Sequence, residues 1–509
     1  MRSVCGLDVS VVAGHLRPAW LPKDMTMTTL KRVAIVLAVL VGGFGRASGQ
    51  TETILYQFGN SVGETATPYA PYAGLAQGSD GNFYGTTAGG GTNSYGSGAV
   101  FRISPGGDYK LLYTFGGFSG DGSGPQAPLV QGSDGNFYGT TRFGGTSSNC
   151  NFGCGTVFRI SPGGIYTTLY SFVGYPTDGE YPFAGLVQGS DGNFYGTTLG
   201  TGTNCSSGCG SVFRISPSGI YTSLYSFGGV PMDGQYPFGR LAQGMDGGFY
   251  GTTSAGGINN GGTFFRISPS GTYTSVYALP TGSKPYAGLV QGSDGNFYGT
   301  TVSGGKFGDG TVFRFNPSAI YTNFYTFGPL LFEGFYPHGS LVQGSDGSFY
   351  GTTSGGGYVN VNNGAVFRIS PSGNFTFLYS FGSQSGDGSA PWGGLVQGSD
   401  GNFYGTTAWG GTNNLGTVFR ISVLLTAPPW PINQISSILP DSSGTNVVFT
   451  IPSIAGETYQ LQFSPSMNPT NWVNVPSVFV SNSIGAMLTL TNFGGASSPQ
   501  GFYRFAITP

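Results

Sequence analysis

Gly132-Ser133-Asp134-Gly135-Asn136-Phe137-Tyr138-Gly139-Thr140-Thr141 decides the fold, because the chain writes this string, or a near variant, seven times. Its aspartate recurs at Asp80, Asp134, Asp191, Asp246, Asp294, Asp346 and Asp400, at spacings of 54, 57, 55, 48, 52 and 54 residues. Each copy reads as four short strands: Gly-Leu-Val-Gln-Gly (A), Asn-Phe-Tyr-Gly-Thr-Thr (B), Gly-Thr-Val-Phe-Arg-Ile (C) and Tyr-Thr-x-Leu-Tyr-Ser-Phe (D). Asp-Gly between A and B is a tight hairpin signal, and Ser-Pro-Ser-Gly or Ser-Pro-Gly-Gly between C and D is a second turn. A four-stranded unit of this length, repeated in tandem, predicts a β-propeller blade and excludes a helical solenoid.

The ends of the repeat region fix the blade number. The chain enters on an orphan D-like strand, Ile54-Leu55-Tyr56-Gln57-Phe58, and leaves after a C strand, Val418-Phe419-Arg420-Ile421, with no D behind it. One orphan completes the other. The expectation is an all-β, seven-bladed ring over residues 50–422 whose last blade takes its outer strand from the N-terminal side, so that no sheet edge stays open.

The repeat resembles the GloVer tandem repeat of exported bacterial proteins, over about residues 51 to 422, through Gly-Ser-Asp-Gly-Asn-Phe-Tyr-Gly-Thr-Thr followed by Gly-Thr-Val-Phe-Arg-Ile-Ser-Pro. That resemblance implies export and surface display. It implies no activity and carries over no catalytic residue. The shorter Asp-Gly-Asn-aromatic-x-Gly-Thr core is also similar to the repeats of sensor-type propellers.

Composition agrees with an unusual surface. Gly 94 and Pro 31 in 509 residues stand beside 15% aromatic and only 8% charged residues, which is core material with little charged exterior. From Gln50 onward there are 13 basic and 19 acidic residues, a balance of −6, and no Lys/Arg cluster, so nucleic acid is not an expected partner. With His15 and His338 the only histidines, histidine-based triads and multi-histidine metal sites are excluded.

Lys31-Arg32, the apolar run Val33 to Val41 and Ala47-Ser48-Gly49 have the order of a secretory signal. Residues 25–49 are read as that signal, and 1–24 as an over-extended gene start that removes Cys5 and His15. The nine-residue apolar run is too short to span a bilayer, and no membrane-spanning segment is expected in the mature chain. Beyond the propeller, a Pro-rich linker at 423–432 leads to residues 433–509, whose runs at Val447–Ile451, Tyr459–Phe463, Trp472–Val475, Met487–Leu490 and Phe502–Phe505 predict a small immunoglobulin-like β-sandwich. Tyr-Gln-Leu-Gln-Phe-Ser, Asn471-Trp472 and the terminal Phe-Tyr-Arg-Phe make it similar to the sandwich ending many exported bacterial proteins, which implies tethering or carriage.

Length variation locates the adaptable face. From the second Thr of strand B to the opening of strand C the chain runs 13, 16, 14, 11, 11, 13 and 11 residues, whereas the opening of C lies 34 residues before the next repeat Asp five times and 30 once. The B-to-C and D-to-A connections emerge together, so ligands are expected there, where the central channel opens. Thirteen residues before a repeat Asp, in the D-to-A loop, stand Asp121, Asp178, Asp233, Glu333 and Asp387, with Thr67 and Thr281 in the remaining loops. Ringing one mouth they would suit Ca2+ or a polar ligand; the plainer reading is a turn repeated because the blade is. Tyr181, Phe183, Tyr236, Phe238, Tyr286, Tyr336, Trp392 and Trp409 differ between blades and offer faces for sugars, or plug loops against the sheets.

Other polar groups are read as structural. The C-strand arginines, from Arg102 to Arg420, sit mid-strand where blades pack, with Tyr84, Tyr138 and the turn aspartates as partners. Cys150/Cys154 and Cys205/Cys209 occupy equivalent B-to-C loops as Cys-x-x-x-Cys; two loop-pinning disulfides are expected, the alternative being a four-thiolate zinc site. His338 is read as a loop substituent in preference to a general base. The leading expectation is an exported, non-enzymatic propeller binding a neutral glycan, envelope polymer or protein partner through its variable face. The alternatives are a polysaccharide-active enzyme using two mouth acids and a purely structural surface protein. No organic cofactor is expected.

Overall fold

The computed structural model describes residues 51–59, 67–91, 97–200, 208–230, 232–328, 334–357 and 363–422, and in the C-terminal region the strands between 437 and 508. Seven antiparallel four-stranded sheets follow one another, and the blades are numbered 1 to 7 in chain order. Blade 2 is typical: A is Val130–Gln131, B Phe137–Thr141, C Thr156–Ile160 and D Tyr166–Ser171. Blade 7 takes its D strand from Thr51–Gln57, which pairs antiparallel with Thr417–Ser422 from Thr51↔Ser422 to Gln57↔Thr417. The ring is a seven-bladed β-propeller closed by its N-terminal strand.

Strand alternation explains the repeated Phe-Tyr. Successive side chains point to opposite sheet faces, so each B-strand Phe meets the preceding blade and each Tyr the following one. Tyr84 stacks on Phe137 at 3.9 Å between centroids, Tyr138 on Phe194 at 3.9 Å, and Tyr404 returns to Phe83 at 4.0 Å. All seven junctions carry this pair, each worth about 0.5–1.5 kcal/mol beyond the burial itself. The glycine that follows admits a ring of the next strand: a Cβ on Gly139 would lie 2.6 Å from Phe158 Cζ.

Two polar rings lock the same junctions. Ser79 N–H donates to Gln131 Oε1 at 2.8 Å and Gln131 Nε2 returns a bond to Ser79 Oγ at 3.2 Å. The exchange closes with Gln77 and Ser399, 322 positions apart in sequence. The first Thr of Gly-Thr-Thr reaches a backbone carbonyl of the next blade, as in Thr86 to Ala127 and Thr406 to Ala73. Within each blade the repeat aspartate organises its turn: Asp134 accepts from Asn136 N, Asn136 Nδ2 and Tyr138 OH.

D strands are joined by a third series of contacts at the outer wall. Tyr56 stacks on Tyr109 at 3.9 Å and Tyr113 on Tyr166 at 4.0 Å, and the pattern runs on to Tyr325 and Phe375 at 4.4 Å. At the closing junction the register position opposite Ile421 is Glu52, where the other blades carry Tyr or Phe. The C-terminal strands form two three-stranded antiparallel sheets, Ser437–Pro440 with Val447–Pro452 and Met487–Asn492, and Val473–Asn474 with Thr458–Ser464 and Phe502–Thr508. The expected signal and linker lie outside the described residues. Among the described residues no helix is long and apolar enough to cross a membrane.

Candidate functional site at the channel rim

The D-to-A segment is a strap laid across two B-to-C loops. Tyr336 N–H donates to Asp309 O of its preceding blade at 3.0 Å, and Tyr336 O accepts from Ser354 N of its own at 3.1 Å. Ala390 does the same with Asn363 and Ala408. The strap residue is held at positive φ in Ala70 (55°), Tyr181 (56°), Tyr236 (57°), Tyr336 (58°) and Ala390 (51°), and a proline follows each. That conformation costs a non-glycine residue about 1 kcal/mol or more. The proline docks on the preceding blade's C-strand entry, where Gly364 (φ 86°) would place a Cβ 2.6 Å from Pro391 Cδ.

The residue after that proline enters the innermost strand at the channel rim. From blade 3 to blade 1 the occupants are Phe183, Phe238, Tyr286, His338, Trp392 and Tyr72, and each touches the next: 5.4, 4.6, 6.0, 4.2 and 5.8 Å between ring centroids. Equivalent positions of neighbouring blades meet this closely only near the axis. Gln126 fills the seventh position. Trp409 lies in the short strand Trp409–Gly410 paired with Gly388–Ser389 and approaches Tyr72 at 6.5 Å. Trp392 and Trp409 are each 40% exposed, leaving an accessible aromatic corner at the junction of blades 7 and 1.

Tyr181, Tyr236 and Tyr336 occupy the strap two residues earlier than the rim position. Tyr181 packs on Phe143 at 5.7 Å, while Tyr336 is exposed. Arg142 covers Phe143 and Phe183, its Cζ 4.8 and 5.9 Å from their centroids. One rim ring, Tyr72, escapes a reading based on aromatic loop residues beside the acids, whereas His338 follows Pro337 as Phe183 and Phe238 follow their prolines and is read there as a loop substituent. The same place after the strap proline, Pro71, is the signal that finds Tyr72.

The acids correct an expectation. Four do not ring the channel mouth: Asp121, Asp178, Asp233 and Asp387 are buried, and each accepts a hydrogen bond from a tyrosine on the outermost strand of the preceding blade. Asp233 accepts from Tyr225 OH (2.8 Å), Gly228 N (2.9 Å), Gly234 N (2.8 Å) and Tyr273 OH (3.0 Å). Asp121 is held by Tyr113 OH and three backbone N–H groups. Donors aimed at a carboxylate oppose a cation in the same place, so these groups serve the loop and not the anticipated Ca2+. Burial raises Asp178 and Asp387 above the usual aspartate range. Glu333 lies outside the described residues.

The remaining candidates are structural in their contacts. Arg102 stands opposite Tyr84 in the B–C ladder. Two arginines pair with turn aspartates, Arg266 with Asp246 at 2.7 Å and Arg368 with Asp346 at 2.8 Å. Cys150 and Cys154 form a disulfide beside Glu180, so their sulfurs are engaged with each other and not offered as thiolates. Cys209 is also disulfide-bonded, and Cys205 lies outside the described residues. His338 is pushed down to about 4 by burial and lies 4.2 Å from Trp392, a neutral ring in the rim at ordinary pH.

These features define a tandem-repeat seven-bladed β-propeller with an aromatic channel rim. The chain belongs to the Gloeobacter/Verrucomicrobia repeat family, whose model matches residues 45–261 and 243–426. Among solved structures it is similar to the streptogramin B lyase structure, with TM-score 0.50 and 17% identity over 74% of this chain and 99% of that one. It is also similar to the extracellular domain assigned to a hybrid two-component system of B. thetaiotaomicron, with TM-score 0.47 and 13% identity over 79% of this chain and 44% of that one. At 17% identity the likeness to the lyase structure is one of fold alone. A comparison with curated proteins gives no match.

Proposed function

We propose that this protein is an exported, non-enzymatic binding propeller that takes a glycan at the aromatic channel rim. The observation that carries the reading is the run of six contacting rim rings contributed by six blades. Flat, partly exposed ring faces held on a rigid scaffold fit the apolar faces of sugar rings. The strained straps support it further, since each keeps a non-glycine residue at positive φ directly before the proline that positions a rim side chain. A glycosidase needs two carboxyl groups flanking a scissile bond. The four described loop acids are instead satisfied by D-strand tyrosines and backbone N–H groups, which favours binding over hydrolysis.

The test is a polysaccharide binding screen with released sugars read in the same wells, run on the chain and on Trp392→Ala and Tyr72→Ala. Binding without release, weakened at least tenfold by either variant, is the expected result. Release of sugars, or binding indifferent to both variants, would overturn the reading.

A further inference from the structure

Below the aromatic rim the channel wall is built from residues with little side chain. Two positions after each rim residue the blades carry Gly74, Pro128, Gly185, Gly288, Ser340 and Gly394, and blade 4 alone carries Arg240. Its Cβ stands over the small residue of the next blade: a Cβ built on Gly288 would lie 3.0 Å from Arg240 Cβ and 3.0 Å from Ser340 Oγ. Six of the seven positions at this level thus carry little or no side chain, and Arg240 is the one long side chain among them.

Among the described residues that guanidinium has no protein counter-ion. Arg240 is half-buried as a residue, its Nε is buried and has no hydrogen-bond partner, and the two ion pairs among the described residues belong to Arg266 and Arg368. Burial alone pushes Arg240 below the usual arginine range, with no carboxylate contributing. The Nε atoms of Arg102, Arg142, Arg368 and Arg420 are likewise buried without a partner, but the C-strand arginines each face a B-strand tyrosine such as Tyr84 or Tyr298 across the ladder, and Arg142 lies over the Phe143 ring. A buried charge is normally paired, and a planar guanidinium accepts an oxyanion in bidentate fashion.

We propose that Arg240 is an anion subsite of the channel, receiving the carboxylate or sulfate-ester oxygens of an acidic saccharide whose sugar ring lies at the aromatic rim. This deepens the glycan reading and rests on it. It replaces the expectation of a neutral ligand with an acidic one, read by one charge set two residues along the strand from Phe238.

Calorimetric titration of the full chain with tetragalacturonate, its methyl ester and a sulfated tetrasaccharide tests it, with Arg240→Gln, Arg240→Lys and Ser340→Asp as variants. Tetragalacturonate or the sulfated sugar should bind at least tenfold more tightly than the ester. Arg240→Gln should erase that preference without weakening the ester, and Arg240→Lys should keep part of it. Ser340→Asp supplies an internal counter-ion and should also erase it, independently of any folding defect at position 240. An unchanged preference in Arg240→Gln, or equal binding of acid and ester by the native chain, overturns the subsite while leaving rim binding intact. If no saccharide binds, inorganic sulfate decides: sulfate held by the native chain and not by Arg240→Gln keeps the anion subsite and rejects its saccharide, and no sulfate binding rejects both.

Discussion

Arg266 Nη2 lies 2.7 Å from Asp246 Oδ2 in a blade whose turn carries Gly248 where five others carry asparagine. In those five, the asparagine side chain donates to the same aspartate oxygen, as Asn136 does to Asp134 at 2.7 Å. Blade 6, with Ser348 at that place, shows the same substitution of partners, Arg368 reaching Asp346 at 2.8 Å. Each turn aspartate therefore has a side-chain donor from its own turn or from the C strand. A Cβ on Gly248 would stand 2.8 Å from Arg266 Cζ, so the two donors compete for one space. We expect Arg266→Ala to cost about 1 kcal/mol in the native background and a few tenths after Gly248→Asn. Equal costs in the two backgrounds, by urea unfolding, would dismiss the exchange.

The closing strand should respond to pH. Burial, and then the nearby Asp387 charge, raise Glu52 to about 8, and Glu52 Oε1 is buried without a hydrogen-bond partner. An acid whose folded pKa exceeds its unfolded one holds its proton more tightly when folded. Its contribution is complete below the ordinary glutamate range and is lost as pH rises towards about 8. Allowing for partial solvent screening, the loss is about 1–2 kcal/mol. Thermal unfolding followed from pH 4.5 to 8.5 should decline, and Glu52→Gln should flatten the profile; an unaltered slope in the variant would exclude Glu52 as its source.

An opposite limb comes from the turn aspartates. Although burial acts to raise Asp134, the bonds from Asn136 and Tyr138 outweigh it and leave the group below the usual aspartate range. Asp80, Asp191, Asp294 and Asp400 share that direction. Stability from these groups is present above the unfolded aspartate pKa and disappears as pH falls through their lowered folded values. Asp134→Asn should weaken the acid-unfolding transition, measured by tyrosine fluorescence below pH 4. A transition as steep as the native one would count against the assignment.

The strap acids should behave as loop pins. Asp233→Ala leaves two tyrosine hydroxyls and two backbone N–H groups without their acceptor, which should cost about 2–3 kcal/mol. A chelator should not move the melting temperature of the native chain. A drop in chelator that calcium restores would return these acids to a cation site.

Ala390 offers a gain. It sits at φ 51° on the strap before Pro391 and Trp392, where glycine pays no Cβ penalty. Ala390→Gly should stabilise the chain by about 0.5–1 kcal/mol and leave its ligand affinity within twofold. A loss of stability in denaturant titration would show that the strap is not strained.

Blades, their number and the closing strand were legible because they rest on local patterns repeated seven times, and an orphan strand at each end leaves one arrangement. The orientation of the acids was not. Loop position alone does not say whether Asp121 faces the channel or turns outward to Tyr113. A constant interval did carry the answer: Tyr113 and Asp121, Tyr170 and Asp178, Tyr225 and Asp233, and Tyr379 and Asp387 are each eight apart and each hydrogen-bonded. Gln131 looked like an ordinary strand residue, because its partner Ser79 belongs to the preceding repeat. Arg240 was hidden for the opposite reason, since it departs from the repeat at a position where a consensus reading sees only glycine.

Pairing of Thr51–Gln57 with Thr417–Ser422 also sets an order of events during synthesis. The strand that leaves the ribosome first is the one required last, so it must wait, unpaired, while nearly the whole ring is made. Such an edge can be captured by the open last blade of a second chain, because that blade presents the same ladder. Crowded synthesis should therefore yield exchanged dimers whose rings are each finished by the other's leading strand. Slow, dilute refolding should yield monomers from the same sequence.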